Sequence, residues 1–100
     1  MTNLTDLAIR ERLRQFIRET FLYMRPKQAL GDEESLMRTG IVDSMGVMEV
    51  LAFLQDTWSV TVADQDLTEE NLGTISAIAR YVMRSVSGAS PDREARDRNA

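Results

Sequence analysis

The chain has 100 residues, of which 43% are hydrophobic and 28% are charged, and this length and composition predict one folded domain. It contains neither cysteine nor histidine, which excludes disulfides, thiolate metal sites, a cysteine nucleophile and a histidine general base. The net charge of −4 is uneven: residues 31–72 carry ten acidic groups and one basic group, whereas residues 1–30 and 73–100 are each net basic.

The acidic centre disfavours binding to nucleic acid, whose phosphates need a basic surface. It favours either a partner protein with a basic patch or a solvated acidic loop. No segment has the roughly 18 to 20 apolar residues of a membrane span. Charged residues between Arg10 and Arg14 stand where a signal peptide would need its apolar stretch, so we expect a cytoplasmic location.

Helical periodicity predicts a first helix over residues 5–24, capped by Thr5 or Asp6 and ended by Arg25-Pro26. Its apolar face comprises Ile9, Leu13, Phe16, Ile17 and Phe21. Residues 26–42 then form a long loop, and loops of this length are often functional. We expect three apolar residues to hold the loop on the core: Leu36, Met37 and Ile41.

A second helix is predicted over residues 44–58, with Asp43 as its N-cap. Its predicted buried stripe comprises Val47, Val50, Leu51, Leu54 and Trp58. A short extended crossing over 59–63 and a brief helix over 67–72 follow, the latter with capping-box spacing between Asp66 and Glu69. A last helix over 74–86 is predicted to bury Ile75, Ile78, Ala79 and Val82, with Thr74 as its cap.

The predicted fold class is all-α: a small bundle of three main helices plus one short helix, with the long loop between the first and second helices. Residues 1–87 form the predicted helical domain. Residues 88–100 hold charges but no large apolar residue, which predicts a disordered tail.

The run Gly40-Ile-Val-Asp-Ser-Met-Gly46 contains the candidate functional residue, Ser44. A serine just inside a helix N-terminus is exposed and lies beside free N–H donors, a favourable place for a phosphate. Because the chain lacks histidine and cysteine, another enzyme would have to activate Ser44. The alternative is that Asp43-Ser44 only caps the helix.

The longer run Thr39-Gly-Ile-Val-Asp-Ser-Met-Gly-Val-Met-Glu-Val-Leu51 resembles the 4′-phosphopantetheine attachment motif of acyl carrier proteins. The likeness continues with order and spacing preserved from about residue 5 to residue 86. It includes the segment 53–58, the valines of the crossing, the acidic residues 64–66, and the apolar positions of the last helix.

This resemblance implies that a phosphopantetheinyl transferase attaches the arm of coenzyme A to Ser44, whose oxygen attacks the β-phosphorus beside the transferase's Mg²⁺. Asp43 would assist the modification, a role compatible with helix capping. Met45, Met48 and Glu49 would form the partner-binding face. The alternatives are that the methionines are half-buried filler and that Glu49 is a plain solvated glutamate.

The implied function is a non-catalytic, monomeric carrier of acyl or aminoacyl thioesters, without a metal of its own. An adenylating ligase or acyltransferase would load the arm, and downstream acyl-using enzymes would take the cargo. Residues 44–58 hold only two acidic side chains, Ser59 stands where glycine is common, and Ala63 where proline is common. These departures favour a dedicated carrier for a special group over the housekeeping fatty-acid carrier.

Two other classes remain as alternatives. An unmodified acidic helical module could bind a basic partner. An enzyme would need a base made from carboxylates or from the single lysine, Lys27.

Overall fold

The computed structural model describes residues 4–86 and contains four α-helices. They are α1 (Asp6–Phe21), α2 (Ser44–Trp58), α3 (Glu69–Leu72) and α4 (Ile75–Val86), with one 3-10 turn at Asp64–Asp66. This part of the chain contains no β-strand, so the predicted small helical bundle is confirmed. The predicted tail, residues 88–100, lies outside the described residues.

The core forms where α1 packs against α4, because both helices bury one apolar stripe completely. The stripe of α1 is Ile9, Leu13 and Ile17, and that of α4 includes Ile75, Ile78 and Val82. Leu54 of α2 and Leu22, Leu36 and Ile41 of the connecting loop belong to the same cluster.

The first helix begins as predicted and ends earlier than predicted. The Thr5 hydroxyl accepts a hydrogen bond from the Ala8 N–H at 3.1 Å, which confirms Thr5 as the N-cap. The helix stops at Phe21, three residues before the predicted end, because Leu22 leaves helical geometry and is buried. The Arg25 N–H then donates to the Leu22 carbonyl at 2.9 Å and closes a turn.

The long loop between α1 and α2 is fixed by both apolar and polar contacts. Leu36 and Ile41 are buried as predicted, but Met37 is exposed, so the prediction that Met37 holds the loop on the core is wrong. The loop is also held through Asp32, whose carboxylate accepts hydrogen bonds from Arg10 and Arg14 of α1. The Asp32 carbonyl accepts from the Ser76 N–H of α4 at 3.0 Å.

The bounds of α2 agree with the prediction, but the predicted buried stripe is partly wrong. Val50 and Leu54 are buried, whereas Val47, Leu51 and Trp58 are only half-buried. The structure instead buries Gly46 and Phe53. The buried face is rotated toward α1 because the Phe53 ring stacks on Phe16, with ring centroids 4.0 Å apart.

The short third helix is capped by a different residue from the one predicted. The Asn71 N–H donates to the Thr68 hydroxyl, so the helix begins at Glu69 and not at residue 67. Asp66 instead accepts a hydrogen bond from the Tyr81 hydroxyl at 2.7 Å. Burial and this hydrogen bond raise the pKa of Tyr81 above its ordinary value. Thr74 caps α4 as predicted, through the Ala77 N–H.

Candidate functional site

Ser44 is the first residue of α2, and its position is fixed by the preceding aspartate. The Asp43 carboxylate Oδ1 accepts a hydrogen bond from the Gly46 N–H at 2.7 Å, and the Asp43 carbonyl accepts from the Val47 N–H at 3.0 Å. These bonds confirm Asp43 as the N-cap and start the helix at Ser44. Both Asp43 and Ser44 are exposed.

Buried side chains and a backbone hydrogen bond hold the segment before Ser44 on the core. Ile41 and Val42 are buried, and the Val42 N–H donates to the Leu36 carbonyl at 3.0 Å. Gly40 turns the chain with φ +76°, a left-handed conformation that glycine adopts without steric penalty. The serine therefore stands on a rigid base, with its side chain directed away from the core.

The surroundings of Ser44 fit a covalently attached phosphodiester. Within residues 4–86 its hydroxyl makes no hydrogen bond, so the oxygen is not occupied by the fold. It stands at the N-terminus of a 15-residue helix whose first turn contains no acidic side chain. The partial positive charge and free N–H groups of a helix N-terminus stabilise a negative phosphate.

The three predicted partner-binding residues lie together on the exposed side of α2. Met45 is 79% exposed and Met48 is 65% exposed, so the interpretation of these methionines as half-buried filler is wrong. Glu49 is also exposed, which fits both a partner contact and a solvated glutamate. Their exposure leaves the partner-binding role of all three residues a prediction.

One structural residue near Ser44 was not predicted from the sequence. A Cβ atom on Gly46 would lie 2.8 Å from Cε1 of Phe21 and 3.2 Å from Cγ1 of Val42. Gly46 thus lets the end of α1 approach the first turn of α2. The only sequence signal for this close packing was the glycine itself, and sequence spacing could not identify Phe21 as its partner.

An apolar groove of about 200 Å³ includes Val47 among its lining residues, and Val47 follows Ser44 by three residues on α2. Met37 of the loop, Leu67 and Leu72 supply the other apolar side chains of the lining. Glu69 also lines the groove, and its carboxylate accepts a hydrogen bond from the Ser35 hydroxyl at 3.0 Å.

Compared with the known protein families, residues 11–82 match the family described as the phosphopantetheine attachment site. The chain belongs to this family. This match confirms the resemblance to acyl carrier proteins, and the group that the chain carries is covalent 4′-phosphopantetheine. No curated protein matches the chain.

Family membership defines the general role and the general partners. The protein is a phosphopantetheine-carrying carrier protein that interacts with a phosphopantetheinyl transferase and with acyl-handling enzymes. Among residues 4–86, no helix is both long and apolar enough to cross a membrane.

Proposed function

We propose that Ser44 carries the phosphopantetheine arm and that the protein holds acyl or aminoacyl groups as thioesters and presents them to partner enzymes. The observation that carries this proposal is the exposed hydroxyl of Ser44 at the first residue of α2, which lies inside the matched region and makes no hydrogen bond to residues 4–86. The arm supplies a thiol, which a chain without cysteine lacks.

Asp43 serves the modification through the two oxygens of its carboxylate. Oδ1 is used by the Gly46 N–H, whereas Oδ2 has no hydrogen-bond partner within residues 4–86. Asp43 thereby fixes the helix start with one oxygen and offers the other to the transferase beside the Ser44 hydroxyl. Capping and assistance are compatible roles of one side chain.

The chain supplies the acceptor hydroxyl but not the base that would deprotonate it. It has no histidine, and its arginines stay protonated and cannot accept a proton. The transferase therefore has to accept the serine proton, and the protein acts as a carrier without catalytic activity of its own. We place this carrier in the cytoplasm as a monomer.

The groove beside Ser44 supports a cargo with an apolar portion. Its walls are mostly apolar, and it begins one helical turn from the attachment residue, so a tethered group reaches it without detaching. An adenylating ligase or an acyltransferase loads this cargo. The departures from the fatty-acid carrier pattern in α2, at Ser59 and at Ala63 support a dedicated carrier of a special acyl or aminoacyl group.

The experiment is intact-mass measurement after the unmodified protein is incubated with coenzyme A, Mg²⁺ and a broad-specificity transferase. We expect the wild type to gain the mass of one phosphopantetheine and Ser44→Ala to gain none. The matched control is Ser59→Gly at the opposite end of α2, where φ is +57° and glycine is well tolerated. It should be modified like the wild type.

Two results contradict the proposal. A mass gain in Ser44→Ala would place the arm on another residue. No gain in the wild type, with a transferase that modifies a second carrier in the same tube, would favour the unmodified acidic interaction module.

A further inference from the structure

Of the described residues that line the apolar groove, Glu69 alone carries a charge. Met37, Val47, Leu67 and Leu72 supply apolar side chains to the same lining. Glu69 makes no ion pair with any residue between 4 and 86, so the fold does not neutralise its negative charge. An apolar lining with one placed charge is typical of a site that orients a small bound group.

The Glu69 carboxylate is held in place by the loop and by a glycine. The Ser35 hydroxyl donates to Oε2 at 3.0 Å, and the neighbouring Leu36 N–H donates to the Gly73 carbonyl at 2.8 Å. Gly73 also lines the groove, and a Cβ atom on it would overlap the Glu69 carboxylate and the Glu69 carbonyl oxygen. The carboxylate therefore lies against the groove lining, and its freedom is already restricted before a ligand binds.

One oxygen of this carboxylate remains available to a ligand. Oε2 accepts the hydrogen bond from Ser35, whereas Oε1 accepts none from residues 4–86. Glu69 is exposed, so solvent reaches the available oxygen and a ligand can replace that solvent. An ionised carboxylate only accepts hydrogen bonds, and a positively charged N–H donor gives it the strongest ones. The matching ligand group is therefore a cationic amine.

The groove is also within reach of a group tethered to Ser44. Val47 lines the groove and follows Ser44 by three residues, a spacing that puts two Cβ atoms about 5 to 6 Å apart on a helix. A short flexible tether gives an effective concentration on the order of millimolar, so an intramolecular contact with a Kd in that range is occupied about half of the time. A weak contact is therefore enough to shelter a tethered cargo.

We propose that the groove selects an aminoacyl cargo, whose free α-ammonium group pairs with Glu69 while its apolar side chain lies against Val47 and Leu72. This inference rests on the proposed function, which includes both acyl and aminoacyl cargo, and it narrows the cargo to an amino acid with a free amine and an apolar side chain. Glu69 and Leu72 are three residues apart on α3, so the charge and the apolar contact lie one helical turn apart. Both substituents of an amino acid leave the same carbon atom, which fits this close arrangement.

A plain acyl group fits the groove less well than an aminoacyl group. The apolar lining would accept its chain, but the chain would displace water from the Glu69 carboxylate without replacing the hydrogen bonds. An N-acylated amino acid has the same disadvantage, because its nitrogen carries no charge. Glu69 therefore contributes specificity both by pairing with the free amine and by disfavouring the uncharged groups.

The test compares two cargoes that differ only by the amine. A transferase loads Ser44 directly from leucyl-coenzyme A or from 4-methylpentanoyl-coenzyme A, whose acyl group is that of leucine without its amino group. Intact mass follows the hydrolysis of each thioester. Protection is the hydrolysis rate of the same group on free pantetheine divided by its rate on the protein, since a group in the groove is shielded from water.

We expect Glu69→Gln to speed hydrolysis of the leucyl thioester about 1.5- to 2-fold, because a cargo sheltered half of the time can at most double its exposure on release. The same variant should change hydrolysis of the 4-methylpentanoyl thioester less than about 1.2-fold, because that group forms no ion pair. High salt should reduce the leucyl difference between the wild type and Glu69→Gln, because salt screens an exposed pair.

The matched control is Glu70→Gln. Glu70 is the adjacent exposed glutamate of α3 and is not part of the groove lining, so its change removes the same charge and should leave both rates near those of the wild type. Glu69→Gln keeps an oxygen that accepts from Ser35, and urea unfolding checks its fold. If this variant is unfolded, N-acetyl-leucyl on the wild type replaces it and should be less protected than leucyl.

The proposal is overturned if leucyl protection is the same in the wild type and in folded Glu69→Gln. It is also overturned if the variant lowers protection of both cargoes equally, since the groove would then shelter a chain without recognising its amine. Failure of the proposed function is seen earlier, at loading: the wild type would gain neither group, or Ser44→Ala would gain one. A correctly loaded wild type without Glu69-dependent protection refutes the cargo selection alone.

Discussion

At the residue scale, Gly46 controls how closely α1 approaches the first turn of α2, where Ser44 lies. An added Cβ would contact the Phe21 ring at 2.8 Å, closer than real Cβ atoms come to any neighbour. Alanine normally favours a helix over glycine by up to about 1 kcal/mol, but the gain is small in a first turn. Overpacking costs about 1 to 3 kcal/mol, so the steric effect is the larger one.

We therefore expect Gly46→Ala to lower the free energy of unfolding by about 1 to 2 kcal/mol, measured by urea denaturation. Phe21→Leu combined with Gly46→Ala should recover part of this loss, because the leucine side chain is shorter than the ring. If Gly46→Ala alone were as stable as the wild type, the Phe21 ring would be able to move aside without a loss of stability.

At the element scale, the loop between α1 and α2 depends on Asp32. The Arg10 guanidinium donates to Asp32 Oδ2 at 2.9 Å and also to the Ser76 hydroxyl at 2.8 Å, while Arg14 donates to Asp32 Oδ1. The Ser76 hydroxyl in turn donates to Glu33. This network joins α1, the loop and α4, and so holds the loop that leads into Asp43 and Ser44.

The hydrogen bond from Arg10, supported by that from Arg14, holds the pKa of Asp32 below its ordinary value of 3.8. A lowered carboxylate pKa stabilises the fold above the ordinary value, and this stabilisation is lost as the pH falls through the lowered pKa. Asp32→Asn should therefore be less stable than the wild type at pH 7, and the difference should shrink as the pH falls below 3.8.

Urea unfolding curves at several pH values measure this difference. The matched control is Asp56→Asn on α2, an exposed aspartate without an ion pair among residues 4–86. Its difference from the wild type should be small at every pH. A difference for Asp32→Asn that stayed constant down to pH 3 would mean that the charge on Asp32 does not stabilise the loop.

At the scale of the whole molecule, the features that could be predicted from the sequence are those that depend on neighbouring residues, such as helix ends and the attachment motif. The bounds of α2 follow from its two ends: Asp43 caps the start, and Ser59 ends the helix in a left-handed conformation, which explains why glycine is common at that position in the family. The attachment motif is local too. The helical bundle follows from apolar periodicity over longer segments.

Features that depend on contacts between distant segments could not be predicted. The buried face of α2 is set by the stacking of Phe53 on Phe16, 37 positions away in the sequence. The predicted buried face was therefore rotated by a fraction of a turn about the helix axis relative to the observed one. The groove includes Met37 of the long loop, and the path of that loop could not be predicted because its sequence has no helical or strand periodicity. Asp66 was the predicted cap of α3, but its carboxylate accepts a hydrogen bond from Tyr81 of α4, a contact that sequence spacing does not show, and Thr68 caps the helix.

The aromatic packing between α1 and α2 makes a prediction for global stability. The Phe53 ring is stacked on Phe16, contacts the edge of Trp58 with ring centroids 5.5 Å apart, and lies 4.9 Å below the guanidinium carbon of Arg12. Phe53 is one of the two inner rings of this cluster, with Phe16, and is buried, whereas Trp58 is an outer ring and is half-buried. The larger loss on truncation should therefore come from Phe53.

We expect Phe53→Ala to lower the free energy of unfolding by about 3 to 5 kcal/mol, a large share of the roughly 5 to 15 kcal/mol that holds a chain of this size folded. Trp58→Ala should cost only about 1 to 2 kcal/mol, because part of its ring already contacts water. Thermal and urea unfolding of both variants measure the order. If Trp58→Ala proved the more destabilising change, tryptophan and not phenylalanine would be the centre of the cluster, and the buried face of α2 would be the one that its sequence periodicity predicts.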